Sequence, residues 1–344
     1  MTYDARYPGF GRGATATDEW TFRDFRAVVL ENERLRVTLL PGHGAKIWEF
    51  TSKRAGRDLL YHHNRFDVRP PVFGQNVDNW WTGGIDEVAP TGHPCVVGGE
   101  ELPFLGEFWS QAWHYRIEES GPDGARVHVW AEGIITPLRL DRWLELRPGE
   151  PVLRGRHRAT NVGFEPVDFI WGVHPGYAIR SGGRVQAPAA EGVFWEGHPD
   201  LKAAQGLTYP WPNFPLEDGR VIDMSVARPA DPPSWDLHFL NGLREGWLAV
   251  TDPESRSGMA LAFDPAVFKT VWLWGVYGGW RGIYTMAFEA WTSWPGRLDQ
   301  AIEAGRHRTL GPGESLETEV SYIAFEGLRS VNHVEPDGRV LGEE

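Results

Sequence analysis

Residues 126–160 read RVHVWAEGIITPLRLDRWLELRPGEPVLRGRHRAT. In Arg126-Val127-His128-Val129-Trp130 apolar and polar side chains alternate, the period-two signature of a half-buried strand. Leu138–Leu146 and Val152–Thr160 continue as two more strand-like runs, and Arg147-Pro148-Gly149 between them is turn chemistry. The same pattern spreads outward through Ala27–Glu31, Leu35–Leu40, Val167–Val173, Gly246–Thr251 and Gly258–Phe263. Turn signals punctuate it at Pro122-Asp123-Gly124, Asp252-Pro253-Glu254 and Gly311-Pro312-Gly313. One short helix is predicted, Leu298–Ala304, with Gly305 at its C-terminal cap. Many short strands with almost no helix predict an all-β chain, an antiparallel sandwich or barrel.

The composition narrows the function classes. The chain has 344 residues and a formal net charge of −13. That balance argues against nucleic acid or an anionic membrane as partner, since both need clustered cationic charge. No apolar run reaches the ~18–20 residues of a membrane span, and the N-terminal stretch lacks a signal-peptide core. The single cysteine, Cys95, excludes an internal disulfide framework and a cysteine-based zinc site. A cytoplasmic protein is expected. No linker divides it, so we expect one domain over residues 1–344, with a core of about 15–328 and a flexible tail over 335–344. The proline- and aromatic-rich stretch 188–233 reads as a long excursion packed over the scaffold.

Aromatic residues are abundant: 18 Trp, 17 Phe and 9 Tyr. Most of the tryptophans are expected in a large core, but a wide apolar face with one N–H donor also suits stacking on a sugar ring. Four segments place acid–base groups beside glycine, proline and aromatics. They are Trp81–Glu87 with Thr91-Gly92-His93-Pro94; Phe169–Tyr177, which carries His174; Pro233–Leu240, in which Asp236 and His238 share one strand face; and Gly282–Trp291, which carries Glu289. Taken singly, each could equally be a hydrogen-bonded structural histidine or a solvated carboxylate. Other chemistries find no support. H-x-x-x-H, H-x-H and H-E-x-x-H spacings are missing, as is the G-x-S-x-G elbow of a serine hydrolase. Phosphate-cradling glycine loops are missing too.

The order of segments resembles the galactose mutarotase-like superfamily, in its divergent aldose 1-epimerase-like branches. Val28–Leu60 (VVLENERLRVTLLPGHGAKIWEFTSKRAGRDLL) resembles the family's opening strand and glycine-rich hairpin. Asn161–Tyr177 resembles the segment bearing its histidine acid, and Asp236–Phe239 its sugar-binding strand. Thr251–Gly258 resembles the hairpin that follows, Phe288-Glu289-Ala290 the strand bearing its base, and Leu310–Gly313 the turn before the last strand. Two departures stand out. GGIDE precedes Gly92-His93 where the family has N-x-L-H-G-G, and the histidine strand reads His-Pro-Gly-Tyr instead of His-x-Tyr-Phe.

The resemblance implies a large antiparallel β-sandwich and anomer interconversion of a free sugar, with no metal or organic cofactor. It implies Glu289 as general base, His174 as general acid, Asp236 as a hydroxyl ligand, His93 as a second imidazole near the ring and Arg65 as a substrate contact. Trp171 and Trp291 are expected to shield one side of the ring. A base takes the proton of O1 while an acid protonates the ring oxygen O5; the aldehyde then rotates and recloses. A carboxyl near its ordinary ~4.3 is ionised at pH 7, and an imidazole near ~6.5 can donate. Two alternatives stay open: glycosidic cleavage by Glu289 paired with Asp86 or Glu87, and a sugar-binding protein without catalysis. The expected partner is a small sugar, and the oligomeric state is not fixed by these residues.

Overall fold

The structure, a computed structural model, describes residues 13–197 and 203–344. Two antiparallel sheets dominate it, one of twelve strands and one of eight. Across the larger sheet the middle strands run Lys46–Ser52, Gly84–Val88, Gly172–Tyr177, Tyr284–Trp291, Thr270–Tyr277, Ser234–Asn241 and Glu191–Gly197. The smaller sheet contains the three strands of the opening stretch, Ala125–Glu132, Leu138–Leu146 and Val152–Asn161, in that spatial order. The alternation read in the sequence sets their faces. Val127 is paired with Leu144, and Leu140 with Ala159, and all four belong to the main core. Against them, within the same buried cluster, lie Val173, Ala290, Leu273 and Leu240 of the larger sheet. This is a sandwich, not a closed barrel, which decides between the two all-β expectations.

The outward face of the smaller sheet absorbs some of the aromatic surplus. The His128 ring stacks on Trp143 at 4.3 Å and on Trp130 at 4.6 Å, and the Arg156 guanidinium lies 4.1 Å over Trp143. Two of these contacts, His128–Trp143 and Trp143–Arg156, join register partners on neighbouring strands, the kind of pair that stabilises a sheet face.

Three expectations are corrected. Val167–Val173 is not one strand. Val167–Phe169 pairs with Arg308–Leu310, and the chain then bends so that Gly172–Tyr177 enters the large sheet. At the bend the Trp171 N–H donates to Thr292 Oγ1, and the Thr292 N–H donates to the Trp171 carbonyl. Nor is the tail free. Val340–Glu343 pairs with Ser330–Val334, and Val331 and Val334 pack with Trp247 and Phe325 in a small cluster of their own. The excursion over 188–233 is not all loop. Glu191–Gly197 adds a strand to the large sheet, and Phe194, Tyr209, Phe214 and Met224 form a satellite core; residues 198–202 lie outside the described residues. The helix is found at Leu298–Glu303, with Gly305 beyond it at φ 64°. Among the described residues no helix is long and apolar enough to cross a membrane.

Candidate active site

Strand periodicity builds the site. Side chains alternate across a strand, so with Val173, Ala290 and Val271 turned into the sandwich, His174, Glu289 and Trp272 turn to the opposite face. Register then lines them up. Asp86 is the partner of His174, the pairs Val173–Ala290 and Gly176–Ala287 bring His174 beside Glu289, and Glu289 is the partner of Trp272. His174 Nε2 lies 3.6 Å from Glu289 Oε1. Both side chains are buried yet line a cavity of about 210 Å³.

Tryptophans make the walls. Trp81, Trp235, Trp272, Trp274 and Trp280 all line the cavity, and Trp81 meets the His174 ring edge-on at 5.8 Å. A side chain at Gly176 would come within 2.7 Å of the Trp81 ring, so only glycine lets Trp81 settle on this strand. Trp291 lies under Trp272, their rings 3.7 Å apart and nearly parallel, and its Nε1 donates to Glu289 Oε2 at 2.7 Å.

Burial sets the electrostatics. It pushes the Glu289 carboxyl up to about 8 against the lowering effect of the Trp291 N–H, and the Asp86 charge adds to the rise. Burial also pushes His174 down to about 4, opposed by Asp86 and helped by Lys46. His93, edge-on to Phe104 at 5.3 Å, is pushed down to about 4 by burial and by Arg297. Between those limits Glu289 holds one proton and His174 none. Ordinary pKa values had placed the proton on the histidine; removal from water transfers it to the carboxyl.

Behind this pair sits a fully buried ion pair, with Lys46 Nζ 2.6 Å from Asp86 Oδ2 and donating also to the Gly83 carbonyl at 2.7 Å. Asp86 Oδ1 and His174 Nδ1 make no hydrogen bond within the described residues.

Of the seven site residues expected from the sequence, Glu289, His174 and His93 line the cavity. Trp291 is buried beneath it and acts on Glu289, not as a wall. Three are placed elsewhere. Trp171 turns between the sheets and donates to Glu87 Oε1 at 2.6 Å. Asp236 faces away from the cavity, because Trp235 and Leu237 take the cavity side of its strand. Arg228 donates to its carboxylate, His238 Nε2 lies 3.4 Å from its other oxygen, and the two hold it below the usual range despite burial; Tyr209 bonds His238 at 2.9 Å. Arg65 is exposed and donates to the Arg281 carbonyl. Glu87 likewise lies among Trp171, His157 and Arg142 and cannot pair with Glu289 across a substrate.

The cavity also contains residues the sequence reading did not single out: Asp78, Glu196, Phe104, Trp272 and Trp274. The period-two tryptophans in Thr270-Val271-Trp272-Leu273-Trp274 were a usable signal, since both had to share one face. Asp78 and Glu196 come from irregular or peripheral segments and carried none.

Known structures share this architecture. No protein-family model matches the chain. Slr1438 from Synechocystis sp. PCC 6803 superposes with a TM-score of 0.65 at 20% identity, covering 90% of this chain and 100% of its own. A galactose mutarotase-like protein from Clostridium acetobutylicum gives 0.67 at 14% identity, covering 92% and 100%. A protein from Klebsiella pneumoniae, provisionally named an aldose 1-epimerase, gives 0.67 at 16% identity, covering 90% and 83%. The chain therefore has the galactose mutarotase-like β-sandwich fold. In sequence it lies far from the structures it resembles.

Proposed function

We propose that the protein is a carbohydrate isomerase of the aldose 1-epimerase type, which interconverts the anomers of a free sugar at the His174–Glu289 pair. One observation carries the reading: an imidazole and a carboxyl 3.6 Å apart in the wall of a tryptophan-lined cavity. Apolar ring faces suit the C–H faces of a pyranose, and the two titratable groups suit its O1 and O5.

The pair carries one proton, and the reaction needs one. As one member accepts the O1 proton, the other gives its proton to O5; the C1–O5 bond breaks and C1–O1 becomes a carbonyl. After rotation about C1–C2, O5 attacks C1 from the other face. O5 returns its proton to the residue that gave it, and O1 recovers its own. With the proton on His174, Glu289 is the base; with it on Glu289, the roles exchange. Burial favours the second arrangement. Trp291, donating to Glu289 Oε2, leaves Oε1 as the oxygen that faces His174.

Two-dimensional exchange NMR against a panel of aldoses, acidic sugars and sugar phosphates tests this. Glu289→Gln lowers the exchange rate at least ~10²-fold, the lower end for general acid–base catalysis. An unchanged rate rejects the proposal.

Glycosidic cleavage is a second reading because Asp78 and Glu196 share the cavity with Glu289. It requires release of a sugar from a glycoside, with loss on Asp78→Asn or Glu196→Gln.

A further inference from the structure

The groups that line the cavity are unbalanced in charge. Its ionisable residues are Asp78, Glu196, Glu289, His93 and His174. Among the described residues neither a lysine nor an arginine lines it. The two imidazoles supply no counter-charge near neutral pH, because burial holds both down at about 4. Cations around the cavity are engaged elsewhere. Lys46 is paired with Asp86 behind the wall, and Arg297 with Asp299. Arg281 donates to Asn79 Oδ1 at 3.0 Å and stands 4.0 Å from Asp78, a loose partner for that one carboxylate.

Two of the acids stand where the cavity meets solvent. Glu196 is exposed and the Asp78 side chain is 33% exposed, whereas His174 and Glu289 are buried. The two acids lie close enough to repel: partial desolvation and then the charge of Asp78 raise the Glu196 carboxyl above its ordinary range. A positive group beside them relieves that repulsion. The buried end also lacks a partner. Glu289 is 2% exposed, yet its Oε1 has no hydrogen-bond donor within the described residues, since His174 Nε2 at 3.6 Å is too far.

The walls suit a cation as well. Trp81 and Trp280 stand at 70° and 74° to Trp274, the steep angles of a cage of indole faces. Trp280 already accepts a positive charge, with the Arg281 guanidinium 4.6 Å over its ring. Indoles alone serve a neutral sugar equally well. The adjacent acids at the mouth decide for a charged one.

We infer that the sugar this site takes is cationic, an aldose carrying an ammonium group, held by Asp78 and Glu196 among the tryptophans. The inference rests on the isomerase reading for what happens at C1, but the charge preference belongs to binding and is measured without turnover. It disfavours sugar phosphates and uronic acids, whose charge meets carboxylates on entry.

Isothermal calorimetry at pH 6.5 with glucose, galactose, glucosamine, galactosamine, 6-amino-6-deoxyglucose, N-acetylglucosamine and glucuronic acid tests it. At least one amino sugar binds about tenfold or more tighter than its parent aldose, about 1.4 kcal/mol. Acetylation of that amine removes the gain. Glu196→Gln and Asp78→Asn each bring the ratio toward one. In the wild-type protein, raising salt from about 0.05 M to about 0.5 M does the same, because the mouth is open to solvent; this arm does not depend on how a variant folds. Equal affinity for amino and parent sugars overturns the inference. So does tighter binding of glucuronic acid, or an amino-sugar advantage that survives both substitutions. Anomer exchange measured by NMR on the same panel keeps the two proposals apart. Exchange of neutral sugars without an amino-sugar preference retains the isomerase and removes the cationic substrate. An amino-sugar preference in binding without exchange retains the cation site and removes the isomerase.

Discussion

Asp86 and His174 are register partners on adjacent strands, and the carboxylate of Asp86 is fixed from behind by Lys46 Nζ at 2.6 Å. The His174–Glu289 pair is thus the near end of a row of four titratable groups running Lys46, Asp86, His174, Glu289 across the large sheet. Its proton inventory depends on residues that do not line the cavity.

The first consequence is a bell-shaped pH profile of kcat/KM. The proposed anomer exchange requires one proton on the pair. Activity falls as pH rises through about 8, where Glu289 loses that proton, and as pH falls through about 4, where His174 gains a second. Exchange NMR from pH 3.5 to 9.5 checks the limbs. A profile that breaks near 6.5 instead would mean that His174 is solvated.

Asp86→Asn moves both limbs to lower pH. Asp86 raises the pKa of His174 and of Glu289, so its neutral replacement lowers both. The substitution also leaves Lys46 buried without its partner, and stability drops by about 3 kcal/mol, as for other broken buried pairs. Titration of the His174 imidazole by NMR separates the electrostatic effect from unfolding, because a purely structural loss would leave its midpoint in place.

Glu289→Gln should make the protein more stable in mildly alkaline solution while removing activity. The folded-state pKa is raised above the unfolded one, so the folded chain keeps a proton that the unfolded chain releases. Wild-type stability therefore declines from about pH 4.5 toward about 8 through this group, and the glutamine variant does not share that decline. Urea denaturation at pH 5 and pH 8 shows the gap between the two proteins widening with pH, by on the order of a few kcal/mol.

Gly172→Ala disrupts the site through packing. A Cβ at this position would lie 2.3 Å from the Trp291 ring. Trp291 must shift, which loosens its stack on Trp272 and its bond to Glu289. Overpacking of this kind costs about 1–3 kcal/mol, read as a lowered Tm, and kcat falls with it. A variant with unchanged Tm and kcat would mean that Trp291 can move freely.

Much of the scaffold was legible because its signals are local. The alternation of Val127, His128 and Val129 fixes which face of a strand is buried, and Gly305 marks the end of the helix. Segment order follows the fold, and it pointed to the two strands that bring His174 and Glu289 to the cavity wall. Asp236 and Trp171 misled for one reason: a carboxylate or an indole on a strand can face either side, and only the packed partners decide. Arg228 claims the first and Glu87 the second. Asp78 and Glu196 reach the cavity from distant parts of the chain, an arrangement set by tertiary packing that leaves no mark in a single sequence.

The stacked indoles of Trp272 and Trp291 also make the molecule its own optical probe. One ring borders the cavity and the other touches the carboxyl that changes charge near pH 8. Occupancy and ionisation should therefore each alter the emission of a built-in fluorophore, letting both be followed without a label.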